Sequence, residues 1–358
     1  MRILFVIGPL KKGGAERVIC NLSNELIKNN EVFIATTITD KSDYKLDERI
    51  KVICTDSENC NNNFFIKNMN RIKNLKRIIK HYNIDLAISF LPEPSYRLML
   101  IKNKKLKTIV SDRNDPNVEY NNFVKKIITK ILYNKSNGFV FQTPDAMNYF
   151  SKKIQKRSVI IPNPINDRFI KEKPFSGKRN NNIVSVGRLT SQKNQKLLID
   201  AFNIVHRKNP DFNLCIYGEG ELENALRTQI SDLKLENCAL LKGNSDVLDK
   251  ELYNSKMFVL SSDYEGMPNA LMEAMALGVP CISTDCPIGG PKFLMKNQSG
   301  LLVPIKDKEK LAKAINQLIE DEVLAKKISI NALNETKKYT NSKINKMWVE
   351  FIDLIIKT

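Results

Sequence analysis

RILFVIGPLKKGGAERVICNLSNELIKNNEVFIATT, residues 2–37, sets an apolar run, a glycine turn, an amphipathic stretch and a second apolar run end to end. RILFVIG (2–8) and EVFIATT (31–37) have the continuous apolar character of strands buried on both faces. Between them, AERVICNLSNELIK (15–28) puts Val18, Ile19, Leu22 and Leu26 on one helical face. Strand, helix and strand in that order imply a parallel, doubly wound α/β sheet. The alternation continues through DLAISF (85–90), KTIVSD (107–112) and GFVFQT (138–143).

A polar, proline-bearing stretch then interrupts the pattern, and a second series follows: NNIVSVG (181–187), NLCIYG (213–218), CALLKG (238–243), KMFVLSS (256–262) and PCISTD (280–285). The reading is therefore two Rossmann-like domains whose parallel sheets face each other across a cleft. The boundaries are an N-terminal domain over 1–164, a linker over 165–182, a C-terminal domain over 183–340 and a terminal helix over 341–358. At 358 residues the chain exceeds one ordinary core, which agrees with two.

SSDYEGMPNALMEAMALGVP (261–280) raises a chemical question. Pro268 suits a helix start and Gly278 a helix stop, and the residues between are almost all apolar, so this helix is expected to be buried. Glu273 is its one charge, and an ionised carboxylate there costs several kcal/mol unless something meets it. Glu265 lies just before the helix, at the C-terminal end of a strand, where open α/β sheets bind ligands. On these residues alone two readings stand: a ligand site, or a carboxylate filling a packing gap beside one that complements the helix dipole.

Other junctions repeat the theme. Gly13 and Gly14 precede the first helix, where backbone N–H groups and the helix dipole favour phosphate; a simple tight turn reads equally well. VGRLTSQKN (186–194) delivers Arg188 and Lys193 at a strand end, a pair suited to a diphosphate or to a surface ion pair. YGEGELENAL (217–226) is a further strand–glycine–helix junction.

Composition narrows the chemistry. Lys plus Arg number 57 against 39 Asp plus Glu, a net charge of +18 that points to an anionic partner or to compositional bias. The seven cysteines form no C-x-x-C pair and read as reduced thiols. His81 and His206 are the only histidines, so a Ser-His-Asp or Cys-His engine has no candidate, and no D-x-D triplet or H-E-x-x-H holds a metal. No apolar run is long enough to span a bilayer and no leader precedes the first strand, so a cytoplasmic chain is expected.

With these pieces assembled, the chain resembles a retaining glycosyltransferase of family 4, of the GT-B type. The matching motifs are GGAE (13–16), NP (163–164), GRL with Lys193, GEGELENAL, the pair Glu265 and Glu273, GGP (289–291) and SGLLVP (299–304). The resemblance implies that Arg188, Lys193 and Glu265 act in catalysis, and that Gly13, Gly14, Gly187, Gly218, Gly266, Met267, Pro268, Asn269, Ala270 and Glu273 hold a nucleotide-sugar. Glu273 then accepts the ribose hydroxyls, Glu265 orients the sugar, and Arg188 and Lys193 neutralise the diphosphate with no cofactor or metal. Retention follows by a front-face route in which the leaving phosphate accepts the acceptor proton. The last helix is implied to pack across both domains.

One departure is notable: Arg113, in SDRNDPN (111–117), stands where many relatives carry a histidine. Arg113 and Glu93 are accordingly candidates for acceptor or donor sugar contacts. The expected donor is a UDP-hexose or UDP-N-acetylhexosamine, and the expected acceptor a membrane lipid-linked saccharide of cell-surface glycan assembly. FFIKNMNRIKNLKRIIKHY (64–82) interleaves Phe65, Met69, Ile72, Leu75 and Ile79 with six Lys or Arg and no acid. It reads as a surface for an anionic membrane, placing the chain on the inner face of the plasma membrane, or as a core helix with a basic outer side. Two further readings compete: a dinucleotide-dependent oxidoreductase, on GGAE and Asp40, and a nucleic-acid-binding protein, which no recognition motif supports.

Overall fold

The computed structural model describes residues 1–11, 13–37, 44–56, 63–171 and 173–358. Asp40 and Cys60 lie outside them. The chain divides into two compact units, Met1–Pro164 with Asn341–Thr358, and Ile165–Thr340.

The first unit holds a seven-stranded parallel sheet: β1 (Arg2–Val6), β2 (Glu31–Thr36), β3 (Lys51–Cys54), β4 (Leu86–Phe90), β5 (Lys107–Ser111), β6 (Gly138–Phe141) and β7 (Ser158–Ile160). Their order, β3-β2-β1-β4-β5-β6-β7, reverses direction between β1 and β4. That reversal defines a doubly wound sheet with its switch point at the β1–β4 pair. Ile3, Leu4 and Phe5 of β1 are fully buried, as a strand covered on both faces requires. Right-handed crossovers put helices on opposite faces: Gly14–Leu26 packs beside Asn341–Lys357, while Phe64–His81, Pro92–Ile101 and Phe123–Tyr133 pack side by side.

The terminal helix belongs to this first unit. Trp348 is fully buried and stacks on Phe90 at 5.8 Å. A Cβ on Gly138 would come within 2.7 Å of Ile355, so the glycine lets helix and strand close up.

The second unit repeats the plan with β8 (Asn182–Val186), β9 (Asn213–Tyr217), β10 (Ala239–Gly243), β11 (Met257–Leu260), β12 (Cys281–Thr284) and β13 (Leu301–Val303), ordered β10-β9-β8-β11-β12-β13. The stretch 165–182, read as a linker, is packed within this unit. Phe169 is buried, Lys171 N–H donates to the Ala276 carbonyl, and Arg179 reaches the carbonyls of Tyr253 and Gly278.

Candidate active site

The switch point of the second sheet lies between β8 and β11, which pair directly. The turns leaving these two strands, 187–194 and 261–268, therefore emerge side by side. Asp263 N–H donates to the Gln192 carbonyl at 2.9 Å, and Gln192 Nε2 donates to the Tyr264 carbonyl at 3.0 Å. Asn194 Nδ2 donates to Asp263 Oδ1 at 2.8 Å, and Ser261 Oγ to the Lys193 carbonyl at 2.9 Å. Asn194 occupies the left-handed region, φ 45°, and its side chain caps the helix Gln195–Lys208. The two turns thus form one hydrogen-bonded platform.

On this platform Lys193 Nζ lies 2.5 Å from Glu265 Oε1, and Ser262 Oγ donates to the same oxygen at 2.6 Å. Glu265 is only 5% exposed. A carboxylate so buried is met by a cation and a hydroxyl together, which is the compensation that burial demands. Gly187 makes the approach of Lys193 feasible: a Cβ there would sit 3.3 Å from the Cγ, Cδ and Cε of the lysine stem. Arg188 is exposed beside it, its own carbonyl taking Gln195 Nε2 at 2.9 Å.

The helix after this turn runs Asn269–Ala276, with Pro268 as its N-cap rather than its first residue. Its first intrahelical bond is Met272 N–H to the Pro268 carbonyl at 3.2 Å, so the N–H groups of Asn269, Ala270 and Leu271 precede the ladder and face the helix start. Glu273 sits one turn in, 7% exposed. The helix ends as its sequence requires: Gly278 N–H bonds Met275 O, Val279 N–H bonds Ala274 O, and Gly278 takes φ +64°.

Glycines bring the surrounding backbone into contact. A Cβ on Gly218, φ +126°, would lie 2.2 Å from the Gly187 carbonyl oxygen, and one on Gly220 2.4 Å from that of Leu189. A Cβ on Gly290 would fall 1.7 Å from the Gly266 carbonyl oxygen. Gly220, one of the two glycines of the 217–226 junction, and Gly290, within GGP (289–291), stood in the motifs, and the structure supplies the backbone each approaches.

In the first unit, Gly14 opens the helix Gly14–Leu26 and Gly13 is its N-cap. The Tyr44 hydroxyl pins this turn, accepting from Gly13 N–H at 3.1 Å and donating to Gly13 O at 2.8 Å. Sequence reading passed over Tyr44, since nothing in its local pattern marks a partner 31 residues away. At the switch point of this sheet Leu91 adopts φ 70° and ψ 159°, a region nearly reserved for glycine. Glu93 follows it on the surface, paired with Arg97 Nη2 at 2.9 Å. Arg113 is buried within the unit. It stacks over Phe90 at 4.9 Å and Trp348 at 5.6 Å, donates to Ser111 Oγ at 2.7 Å and to Asn163 Oδ1 at 2.9 Å, and desolvation lowers its pKa to about 9. The structure therefore sets Arg113 in the core and Glu93 in solvent; it does not bring the two together.

Two doubly wound α/β units, one carrying a cation–carboxylate platform and glycine-packed turns at its switch point, define the GT-B architecture of nucleotide-sugar-dependent enzymes. Family models agree: "Glycosyltransferase Family 4" matches residues 12–169 and "Glycosyl transferases group 1" matches residues 166–335. An uncharacterised glycosyltransferase of Methanocaldococcus jannaschii is 30% identical over 341 residues, covering 80% of this chain and 84% of that protein. The Campylobacter jejuni N-acetylgalactosamine-N,N'-diacetylbacillosaminyl-diphospho-undecaprenol 4-alpha-N-acetylgalactosaminyltransferase is 28% identical over 355 residues, 94% of this chain and 95% of that one. The crystal structure of Anabaena HepE in complex with UDP superposes with a TM-score of 0.81 at 16% identity, covering 99% of this chain and 100% of that one, a likeness of fold. The chain belongs to the family 4 glycosyltransferases and is a glycosyltransferase. The oxidoreductase and nucleic-acid readings are thereby set aside.

Proposed function

We propose that the chain moves a sugar, with retention of anomeric configuration, from a UDP-hexose or UDP-N-acetylhexosamine to a membrane lipid-linked saccharide in cell-surface glycan assembly. The observation that carries this reading is the buried Lys193–Glu265 pair beside the start of the helix that holds Glu273. Departure of a nucleoside diphosphate builds negative charge, and Lys193, Arg188 and the N–H groups at Asn269 and Ala270 are the fixed positive groups at hand to stabilise it. No metal is needed when cations are already in place. Glu273 accepts the ribose hydroxyls, which explains a carboxylate on an otherwise apolar helix. Glu265, oriented by Lys193 and Ser262, faces the donor sugar, and the leaving phosphate takes the acceptor hydroxyl's proton.

The UDP donor is supported by UDP in the HepE crystal, and the lipid-linked acceptor by the undecaprenol-linked substrate in the Campylobacter enzyme's name. Among the described residues no helix is long and apolar enough to cross a membrane. For work on such an acceptor the reading places the chain in peripheral attachment at the inner face of the plasma membrane. Thermal unfolding with UDP, GDP, ADP and NAD tests the reading. A ligand at about a hundred times its Kd adds roughly 2.7 kcal/mol, a shift of a few degrees. UDP is expected to give that shift in wild type and not in Glu273→Ala; an undiminished shift in the variant overturns the role given to Glu273.

A further inference from the structure

The side of the first unit carrying the helices Phe64–His81, Pro92–Ile101 and Phe123–Tyr133 is unusual for a water-facing surface. Helix Phe64–His81 buries only Leu75 and Ile78, and its first turns leave Phe64, Phe65 and Met69 exposed, Phe65 by 78%. Helix Phe123–Tyr133 buries Thr129, Leu132 and Tyr133 alone; Phe123, at 76% exposure, with Val124, Ile127, Ile128 and Ile131 faces out. Neither helix contains an acid. Of the two readings that the sequence left for residues 64–82, the core-helix one accounts for the second half of the helix only.

The two helices belong to one surface. Helix Pro92–Ile101 lies between them, joined to the first by Arg97 Nε to Asn68 Oδ1 at 3.3 Å and to the second by Tyr96 Oη and Thr129 Oγ1 at 2.5 Å. It adds the exposed Leu100. Around these apolar residues stand exposed cations: Lys73, Lys76 and Arg77 on one helix, Lys125, Lys126 and Lys130 on the other.

Exposed aromatic and aliphatic side chains of this number on one side mark an interaction site. We propose that this three-helix surface seats the first unit on an anionic phospholipid bilayer, with Phe65 and Phe123 inserting and the lysines meeting lipid phosphates. Charge selects this occupant. A second copy of the chain would set lysine against lysine, the one acid of the three helices being Glu93, already paired with Arg97, whereas an anionic leaflet neutralises the lysines and receives the apolar side chains at the same depth. The inference builds on the peripheral attachment proposed above and specifies the surface that performs it.

The test is co-sedimentation of the full chain with vesicles of phosphatidylcholine alone, or of phosphatidylcholine mixed with phosphatidylglycerol, neither holding any saccharide acceptor. Failure here thus leaves the transfer reaction standing, and failure of the reaction leaves this result standing. Wild type is expected to bind the phosphatidylglycerol vesicles only, and less as salt is raised. The doubly substituted F123E/I127E chain is expected to lose about tenfold or more in partitioning, and removal of a lysine, as in K125Q or K126Q, about fivefold. Circular-dichroism melting confirms that these exposed substitutions leave the fold intact. Wild type that ignores phosphatidylglycerol, or variants that bind as well as wild type, overturns the proposal. A dimer in sedimentation velocity that F123E/I127E disperses, with no vesicle binding, assigns the surface to a second copy instead.

Discussion

Lys193 Nζ and Glu265 Oε1 meet at 2.5 Å although 72 residues separate them in sequence. They meet because the strands that launch them, β8 and β11, are neighbours only where strand order reverses. The lysine side chain is 17% exposed and the carboxylate 6%, so each neutralises the other in a place from which water is largely removed.

Lys193→Met is expected to lower kcat by roughly 10²–10³-fold, the usual effect of removing one fixed group that stabilises developing charge. The same change strands Glu265 with only the Ser262 hydroxyl, and folding is expected to weaken by about 3 kcal/mol. Steady-state transfer kinetics and urea unfolding read the two effects separately. A variant whose kcat falls no more than twofold removes Lys193 from the reaction.

Gly290 and Gly243 make a matched pair of tests. Gly290 has no conformational need to be glycine, but its Cβ would lie 1.7 Å from the Gly266 carbonyl oxygen. Gly243 has φ +64° and nothing within 4 Å of a Cβ. Gly243→Ala is expected to cost about 1–2 kcal/mol, the left-handed penalty, and to leave UDP binding unchanged. Gly290→Ala must push the 266–268 turn off its platform, so nucleotide affinity is expected to fall at least about tenfold along with stability. Calorimetric titration with UDP on both variants checks the contrast; equal affinities refute it.

What the sequence made legible follows from burial. Of the thirteen strands among the described residues, ten stood out as apolar runs, nine of them central strands covered on both faces and the tenth the edge strand β10. The three that did not are β3, β7 and β13, all at sheet edges, with three or four residues each and little full burial. An edge strand lacks the covered faces that write such a run. In the site, Glu273 was visible as the one charge on an apolar helix, Glu265 as a carboxylate at a strand end and Lys193 as a cation in a strand-end loop. Tyr44 was not, because its role arises from hydrogen bonds made only after folding, and Gly220 and Gly290 were visible as motif glycines while the carbonyls they approach were not. Arg113 was visible as a residue but not as a core residue, since its cover comes from Trp348, 235 positions away.

Tyr44 anchors the turn before the first helix through two hydrogen bonds to one residue, Gly13. Tyr44→Phe keeps the ring and removes both. A loss of about 1–2 kcal/mol in stability is expected from bonds of this kind. If the turn must be held for transfer, kcat/KM falls further than stability alone dictates, and measuring it well below the melting temperature isolates that part. Unchanged kcat/KM would make Tyr44 a purely structural clamp.

Asp112 supplies a pH dependence whose sign is fixed by its surroundings. It lies at the end of β5, buried, with Tyr120 Oη donating to Oδ2 at 2.6 Å and Tyr133 Oη 2.9 Å behind. Desolvation, offset in part by the Tyr120 hydrogen bond, raises its pKa from 3.8 to about 7. The folded chain therefore holds a proton that the unfolded chain has released between pH 4 and pH 7. Stability from this group is full below the unfolded value and is lost as pH rises through about 7. Asp112→Asn keeps the shape and cannot ionise, so it removes the dependence. Urea unfolding at pH 5 and pH 8 is expected to show the variant gaining on wild type by roughly 2–3 kcal/mol between the two. A wild-type minus variant difference that stays constant with pH, or grows in the opposite direction, shows that Asp112 is ionised in the folded chain and that its burial is answered by a partner other than a proton.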